Sequence, residues 1–224
     1  MQVFDIIKKA AVMTDSVIVG FSGGKDSIVT LDLCLKHFKH VEAYFLYIVS
    51  DLEFQEVYLR YIEKRYTIKI HRLPHWMLGR LFKDATYRPH NKKTVNCPVI
   101  TINDIENELY KLSGIEWFAS GQKACDSIER NAMLRRNNGI DEIRKRIYPV
   151  TFFTNKTIFS YLKMNNIPLP PDYRILGHSF GSLWGKDLKR IKETYPNDYK
   201  KILEVFPYVE AAIKRDEFKQ VPAF

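Results

Sequence analysis

Ser22, Gly23, Gly24, Lys25, Asp26 and Ser27 place two glycines, two hydroxyls, an ammonium and a carboxylate in six consecutive positions. Glycines let a backbone come close to a ligand with no Cβ in between. Backbone N–H groups and hydroxyls can then donate to phosphate oxygens while a lysine offsets their charge. The common mononucleotide loop, G-x-x-x-x-G-K followed by Ser or Thr, does not describe the stretch. Val19 stands at its first glycine position and Asp26 at its hydroxyl position. A second chemistry-bearing set, Gly121, Lys123, Asp126, Ser127 and Arg130, lies in "GQKACDSIER". It repeats the mixture of glycine, hydroxyl, carboxylate and cation.

Both sets must be positioned by the elements around them. Val17, Ile18, Val19 and Phe21 form a short β-branched and aromatic run that predicts a buried strand. Ile28, Leu31, Leu35 and Phe38 then recur at helical spacing, so Ser22–Asp26 is a strand-to-helix turn. The first N–H groups of a helix lack internal partners and sit at the positive end of its dipole. Downstream, "VEAYFLYIV" and "TIKIHRL" predict strands separated by the helix "EVYLRYIEKRY". A helix over Ile102–Leu112, a strand "IEWFAS" and a last strand "RIYPV" follow. Alternation of this kind predicts an α/β fold with an open, mostly parallel sheet flanked by helices. Ligands of such sheets sit outside the carboxyl ends of the strands, where Ser22–Ser27 and Gly121–Arg130 both fall. From Phe152 onward the texture becomes helical: "NKTIFSYLKMNNIPLPP", "LWGKDLKRIKETY" and "DYKKILEVFPYVEAAIKRDEF". The expected organisation is an α/β domain over 1–151 and a C-terminal helical extension over 152–224 packed on it. Nothing repeats internally.

The S-G-G-x-D-S pattern of Ser22, Gly23, Gly24, Asp26 and Ser27 resembles the loop of the PP-loop ATP pyrophosphatases. "GQKACDSIER" resembles the G-[IL]-R-x-x-E-S-x-x-R segment of the phosphoadenosine phosphosulfate (PAPS) reductase branch of that superfamily. Gly121, Ser127 and Arg130 match as they stand, while Lys123 replaces an arginine and Asp126 a glutamate. "YPVTFFTNKTIFSYLKMNNIPLPPDY" is similar to the P-x-x-x-W-T … I-P-x-x-P-x-Y segment, and "VSDLEFQEVY" to D-T-G-x-E-F-P-E-T, with Glu53, Phe54 and Glu56 carrying over and Val49 departing. The resemblance runs in order from about Val17 to Tyr173 and extends to relatives that serve DNA phosphorothioation. It implies an adenine nucleotide alpha-hydrolase-like fold and a reaction taking ATP to AMP and pyrophosphate, with adenylation of an acceptor in sulfur transfer or nucleic-acid modification. The implied nucleotide contacts are Ser22, Gly23, Gly24, Lys25, Asp26, Ser27, Gly121 and Ser127. Lys25, Lys123 and Arg130 are the implied catalytic cations, and Asp26 or Asp126 is the implied Mg²⁺ ligand, since hard oxygen donors suit that ion.

A PAPS-binding reductase and a nucleotide-binding regulatory subunit are the alternatives. Reductases of this branch end in an E-C-G-x-H tail, whereas this chain ends "FKQVPAF". Relatives that bind an iron–sulfur cluster place cysteines after P-x-Y, where "GHSFGSLWGKD" has none. With three cysteines, Cys34, Cys97 and Cys125, and no C-x-x-C pair, no complete iron–sulfur cluster is expected. The histidines show no metal spacing.

The chain has 224 residues, a hydrophobic fraction of 46% and a net charge of +9. No run approaches the ~20 apolar residues of a membrane helix. The opening "MQVFDIIKKAAVMTDS" reads as an amphipathic helix without an export cleavage site, so a reducing cytoplasm is the expected compartment and no membrane partner is expected. The positive surplus suggests a polyanionic partner. Arg130, Arg135, Arg136, Arg144, Lys145 and Arg146 read either as a solvated loop tipped by Asn137, Asn138 and Gly139 or as a binding surface. With Lys186, Lys189, Arg190, Lys192, Lys200 and Lys201, interleaved with Trp184, Tyr195 and Tyr199, they are the candidate surface for a nucleic-acid acceptor. A protein partner would also suit that charge.

Overall fold

In chain order the elements are α1 (Asp5–Met13), β1 (Ser16–Gly20), α2 (Lys25–His37), β2 (His40–Tyr47), α3 (Glu53–Tyr66), β3 (Ile70–Pro74), α4 (Met77–Lys83), α5 (Lys92–Val95), α6 (Ile102–Ser113) and β4 (Phe118–Ala119). A 3₁₀ turn at Ala124–Asp126 leads into α7 (Ile128–Arg136), β5 (Ile140–Asp141) and β6 (Arg146–Ile147). After these come α8 (Asn155–Met164), α9 (Pro171–Leu176), α10 (Gly185–Thr194), α11 (Pro196–Val205) and α12 (Glu210–Lys219). The computed structural model describes residues 4–219. The first three residues of the expected opening helix and the end of "FKQVPAF" lie outside them. The strands form one six-stranded sheet in the order β3-β2-β1-β4-β6-β5. All neighbours pair in parallel except β5, which runs antiparallel to β6. This is the open, mostly parallel α/β sheet that the alternation predicts.

Successive strand residues face opposite sides of a sheet, and β1 shows the consequence. Val17 and Val19 join a core with Ile7, Leu31, Ile62 and Ile158 on one side. Ile18 joins Ile105, Leu109 and Phe118 on the other. Helix α8 thus packs in the same core as α1 and α2, while a further cluster joins Leu52 and Phe54 to Leu188 of α10, Ile202 of α11, and Phe206 and Val209 between α11 and α12. Asp198, buried at the start of α11, accepts hydrogen bonds from the Glu53 and Phe54 N–H groups at 2.9 and 3.1 Å. It thereby caps α3 from a distant part of the chain. Among the described residues no helix is long and apolar enough to cross a membrane.

Three local expectations are corrected. The 130–146 stretch is not one loop. Ser127 caps α7 by accepting from the Arg130 N–H at 3.1 Å, Leu134 is buried, and Gly139 N–H closes the helix on the Leu134 carbonyl at 3.0 Å before the β5–β6 hairpin. The long helical stretch after Asp198 is two helices, α11 and α12, because Pro207 has no N–H to continue the first. Strand β3 begins at Ile70 rather than Thr67, which takes a left-handed conformation (φ 53°) at the end of α3.

Candidate active site

Strand β1 ends at Gly20, and the Phe21 N–H donates to the Tyr44 carbonyl at 2.8 Å, so the chain leaves the sheet at the carboxyl ends of β1 and β2. Gly23 turns it with φ +72°, a conformation that favours glycine. Gly24 occupies the N-cap of α2 and has no side chain to satisfy the first N–H groups of that helix. The hydroxyls organise the turn. Ser27 Oγ donates to the Gly24 carbonyl at 2.9 Å, Ser22 Oγ lies 3.3 Å from Ser27 Oγ, and the Gly24 N–H donates to Ser22 Oγ at 3.3 Å.

Beyond β4 the chain runs directly against this turn. A Cβ placed on Gly121 would lie 2.8 Å from the Asp26 carbonyl carbon and from the Ser27 nitrogen. The two sets of residues separated by about a hundred positions in sequence are therefore in backbone contact. Lys123, two residues further on, is 1% exposed. Its Nζ lies 2.7 Å from Asp26 Oδ1, 3.1 Å from Asn155 Oδ1 and 3.5 Å from Asp126 Oδ1. The other Asp26 oxygen, Oδ2, accepts from Lys25 Nζ at 2.7 Å. Burial alone would depress the Lys123 ammonium, but the hydrogen bond and charge of Asp26, with Asp126 adding, hold it above the usual lysine range. Asp126 also lies 3.3 Å from Arg130 Nη1.

These contacts surround a cleft of about 490 Å³. The turn, Gly121, Asp126 and Arg130 line its floor and one wall. Tyr44, Phe45 and Leu46 from β2 and His75 from the end of β3 line another, and Tyr173 with the 178–181 segment makes the third. His75 Nδ1 accepts from the Met77 N–H at 3.1 Å, and burial lowers its pKa, which favours a neutral ring with its other nitrogen protonated. Asp172 is buried and accepts from the Phe180 and Tyr173 N–H groups at 2.8 and 3.0 Å. Burial raises its carboxyl while those N–H groups and His178 oppose the rise. His178 Nε2 lies 3.4 Å from Oδ1 of buried Asp187, whose carboxyl is likewise raised by burial and opposed by His178.

Of the expected nucleotide contacts, Ser22, Gly24, Lys25, Asp26, Ser27 and Gly121 line the cleft together, with Gly23 in the turn beside them. Of the expected catalytic cations, Lys25 and Arg130 line it too. Lys123 does not reach it, being held beneath the turn by Asp26, and Ser127 is occupied as the cap of α7. Glu53, Phe54 and Glu56 also stand away from it. Phe54 is buried against Phe180 and Tyr195, Glu53 pairs with Arg60, and Glu56 pairs with Arg72. The cleft residues the sequence reading missed include Tyr44–Leu46, His75, Ser120, Gln122, Tyr173 and His178–Gly181. Their signal was positional for the first two groups, which end strands β2 and β3. For "GHSFG" it was a glycine-flanked His-Ser pair beside P-x-Y.

As arranged, Asp26 and Asp126 do not make a resident metal site, because each carboxylate is engaged by cations. Among the described residues no group of three or more His, Cys, Asp or Glu side chains could hold a metal. Cys34 is buried, Cys97 half-buried and Cys125 exposed, all as free thiols. On the C-terminal helices Lys189, Lys192 and Lys201 are ion-paired with Glu217, Glu210 and Asp198. Tyr199 belongs to the core, while Trp184 is exposed.

A parallel sheet with a glycine turn at the carboxyl end of its central strand, packed under a second glycine segment, defines a nucleotide-utilising protein of the PP-loop ATP pyrophosphatase superfamily. Residues 16–180 match the phosphoadenosine phosphosulfate reductase domain, and the chain belongs to that family. No curated protein matches the chain. Among solved structures it is similar to the NH3-dependent NAD synthetase from Campylobacter jejuni subsp. jejuni NCTC 11168 in complex with the nitrate ion. That likeness has 16% identity, covers 100% of this chain and 99% of that one, and has a TM-score of 0.47.

Proposed function

We propose that the chain cleaves ATP between its α and β phosphates and transfers the AMP moiety to an acceptor. The observation that carries this reading is the contact of Gly121 with the first turn of α2, which has no side-chain cap and lines a cleft also lined by Lys25 and Arg130. The helix N-terminus and the hydroxyls of Ser22 and Ser27 hold the β and γ phosphates. Lys25 and Arg130 offset the charge that builds on the leaving pyrophosphate. The acceptor's nucleophile attacks the α phosphorus, the bond to the bridging oxygen breaks, and pyrophosphate leaves with the electron pair. Asp26 and buried Lys123 are positioning residues that fix the turn and the Lys25 ammonium. Asp26 and Asp126 are assigned no part in holding Mg²⁺, which would arrive with the nucleotide and offset phosphate charge.

Incubation with MgATP followed by chromatography tests the reading. AMP and pyrophosphate are the expected products, and ADP with phosphate would exclude the mechanism. Family membership favours a second reading, in which PAPS occupies the same cleft. Thioredoxin-dependent release of sulfite from PAPS would establish it in place of the first.

A further inference from the structure

A second cavity, of about 690 Å³, adjoins the nucleotide cleft and shares Tyr44, Ser120 and Gln122 with it as a common wall. Its volume falls within the range of roughly 300–1,000 Å³ usual for small-molecule sites. It opens on the α6 side of the sheet, between the start of that helix and β6, and contains none of the phosphate turn. Its polar groups converge. Asn103, Gln122, Tyr148 and Arg144 all line it, and among the described residues none of them makes a side-chain hydrogen bond. Polar groups facing one cavity with their hydrogen-bonding capacity unspent are groups available to a polar ligand.

The charge in this cavity has a sign. Arg146 is ion-paired with Glu106, both largely buried, and its guanidinium lies 4.9 Å from the Phe118 ring centroid, so its charge is balanced and its orientation fixed. Arg144 has no carboxylate partner among the described residues, and only its backbone N–H is bound, to Asp141 Oδ1 at 3.0 Å. Arg144 is exposed in the turn between β5 and β6, so the cavity carries at its rim one guanidinium without an ion pair, whose planar fork suits a carboxylate or a phosphate. Tyr44, Phe118 and Tyr148 supply aromatic wall.

We propose that this cavity takes the second substrate of the reaction, an organic oxyanion whose carboxylate or phosphate meets Arg144 while its body lies along the aromatic wall toward Ser120 and Gln122. The proposal rests on the adenylating reading only for the word substrate. Occupancy by an oxyanion rests on the cavity itself.

The test is ligand-observed NMR with phenyl phosphate and benzoate as probes, the nucleotide cleft being saturated with α,β-methylene-ATP so that neither probe can report from the phosphate turn. At least one probe is expected to bind the wild type. Arg144→Glu is expected to weaken that binding by about tenfold or more, while the affinity for α,β-methylene-ATP moves by less than about twofold. Binding of phenyl phosphate alone assigns a phosphate ester, and binding of benzoate alone assigns a carboxylic acid. Either outcome supports the site. Absence of binding by both probes, or equal binding by wild type and R144E, overturns it. Should R144E lower the melting temperature, Arg144→Gln and Asn103→Ala supply the same comparison on a folded chain. The two readings fail separately. Products of ADP and phosphate with Arg144-dependent probe binding retained would remove adenylation and leave the cavity assigned. AMP and pyrophosphate with no probe bound would remove only the cavity.

Discussion

Gly121→Ala is the sharpest perturbation of the phosphate turn, because the contact it disturbs is entirely backbone. The new Cβ would lie 2.8 Å from the Asp26 carbonyl carbon and the Ser27 nitrogen, and 3.0 Å from the Asp26 oxygen. Carbon atoms in contact rest at about 3.5–4.0 Å, so the two segments must part by roughly 0.7 Å. Neither can yield by rotating a side chain. Overpacking of this size costs about 1–3 kcal/mol. More important for binding, a donor at 2.9 Å from a phosphate oxygen would be carried to about 3.6 Å, beyond hydrogen-bonding distance. The loss of one or two such bonds lowers ATP affinity by roughly 10- to 100-fold at about 1.4 kcal/mol per decade. Calorimetric titration with ATP and with AMP, alongside a thermal melt, reads both effects. Gly181→Ala serves as the contrast in the melt, since a Cβ there meets nothing within 4 Å. If G121A stays folded and binds ATP within about twofold of wild type, the contact does not set the turn and the functional reading loses its carrying observation.

Lys123→Met removes a buried ammonium from Asp26 and is expected to cost about 3 kcal/mol in urea unfolding, the low end for a broken buried pair because Lys25 still serves Asp26. The folded-state pKa of Lys123 is raised above its ordinary 10.5. The stability it confers is therefore complete below that value and lost as pH climbs through the folded-state value, so the gap between wild type and variant should be level from roughly pH 6 to 9 and close in stronger alkali. A gap that closes toward acid instead would contradict the assignment. Arg130→Ala is predicted to weaken ATP more than AMP, by about 1.5 kcal/mol at this half-exposed position; equal losses in parallel titrations would place Arg130 at the nucleoside end. Asp198→Ala frees two N–H groups at the start of α3 and should lower unfolding free energy by about 1–2 kcal/mol, a change that urea titration resolves and that an unaltered midpoint would refute.

What could be read from the sequence was what local chemistry decides. The apolar run before Ser22 and the helical spacing after it fix a strand, a turn and a helix, and they brought Ser22–Ser27 and Gly121 to one edge of the sheet. Lys123 shows where such reading stops. A lysine inside the second motif looks like a phosphate ligand, yet whether its ammonium faces the cleft or a carboxylate beneath it depends on Asp26 and Asn155, 97 and 32 positions away. The strand "IEWFAS" shrinks to Phe118–Ala119 because the ladder from β1 extends only over Ile18 and Val19. Helices α4, α5 and α9 are segments of seven, four and six residues, too short for helical periodicity to stand out in sequence. The Arg130–Arg146 stretch looks like a loop because its polarity hides a buried anchor, Leu134.

The 178–181 segment forms one wall of the cleft, yet its fastenings lie elsewhere: the Phe180 N–H on Asp172, Phe180 itself against Phe54, and His178 against Asp187 of α10. The position of that wall is thus set by α3, α9 and α10 together, and so in part by the C-terminal helices. By thermodynamic reciprocity, whatever free energy a ligand gains by drawing this wall inward is felt as tighter docking of α10 and α11, and loosening those helices taxes ligand affinity by the same amount. A ligand seated against the 178–181 wall and the C-terminal helices behind it are in this sense two loads on one lever.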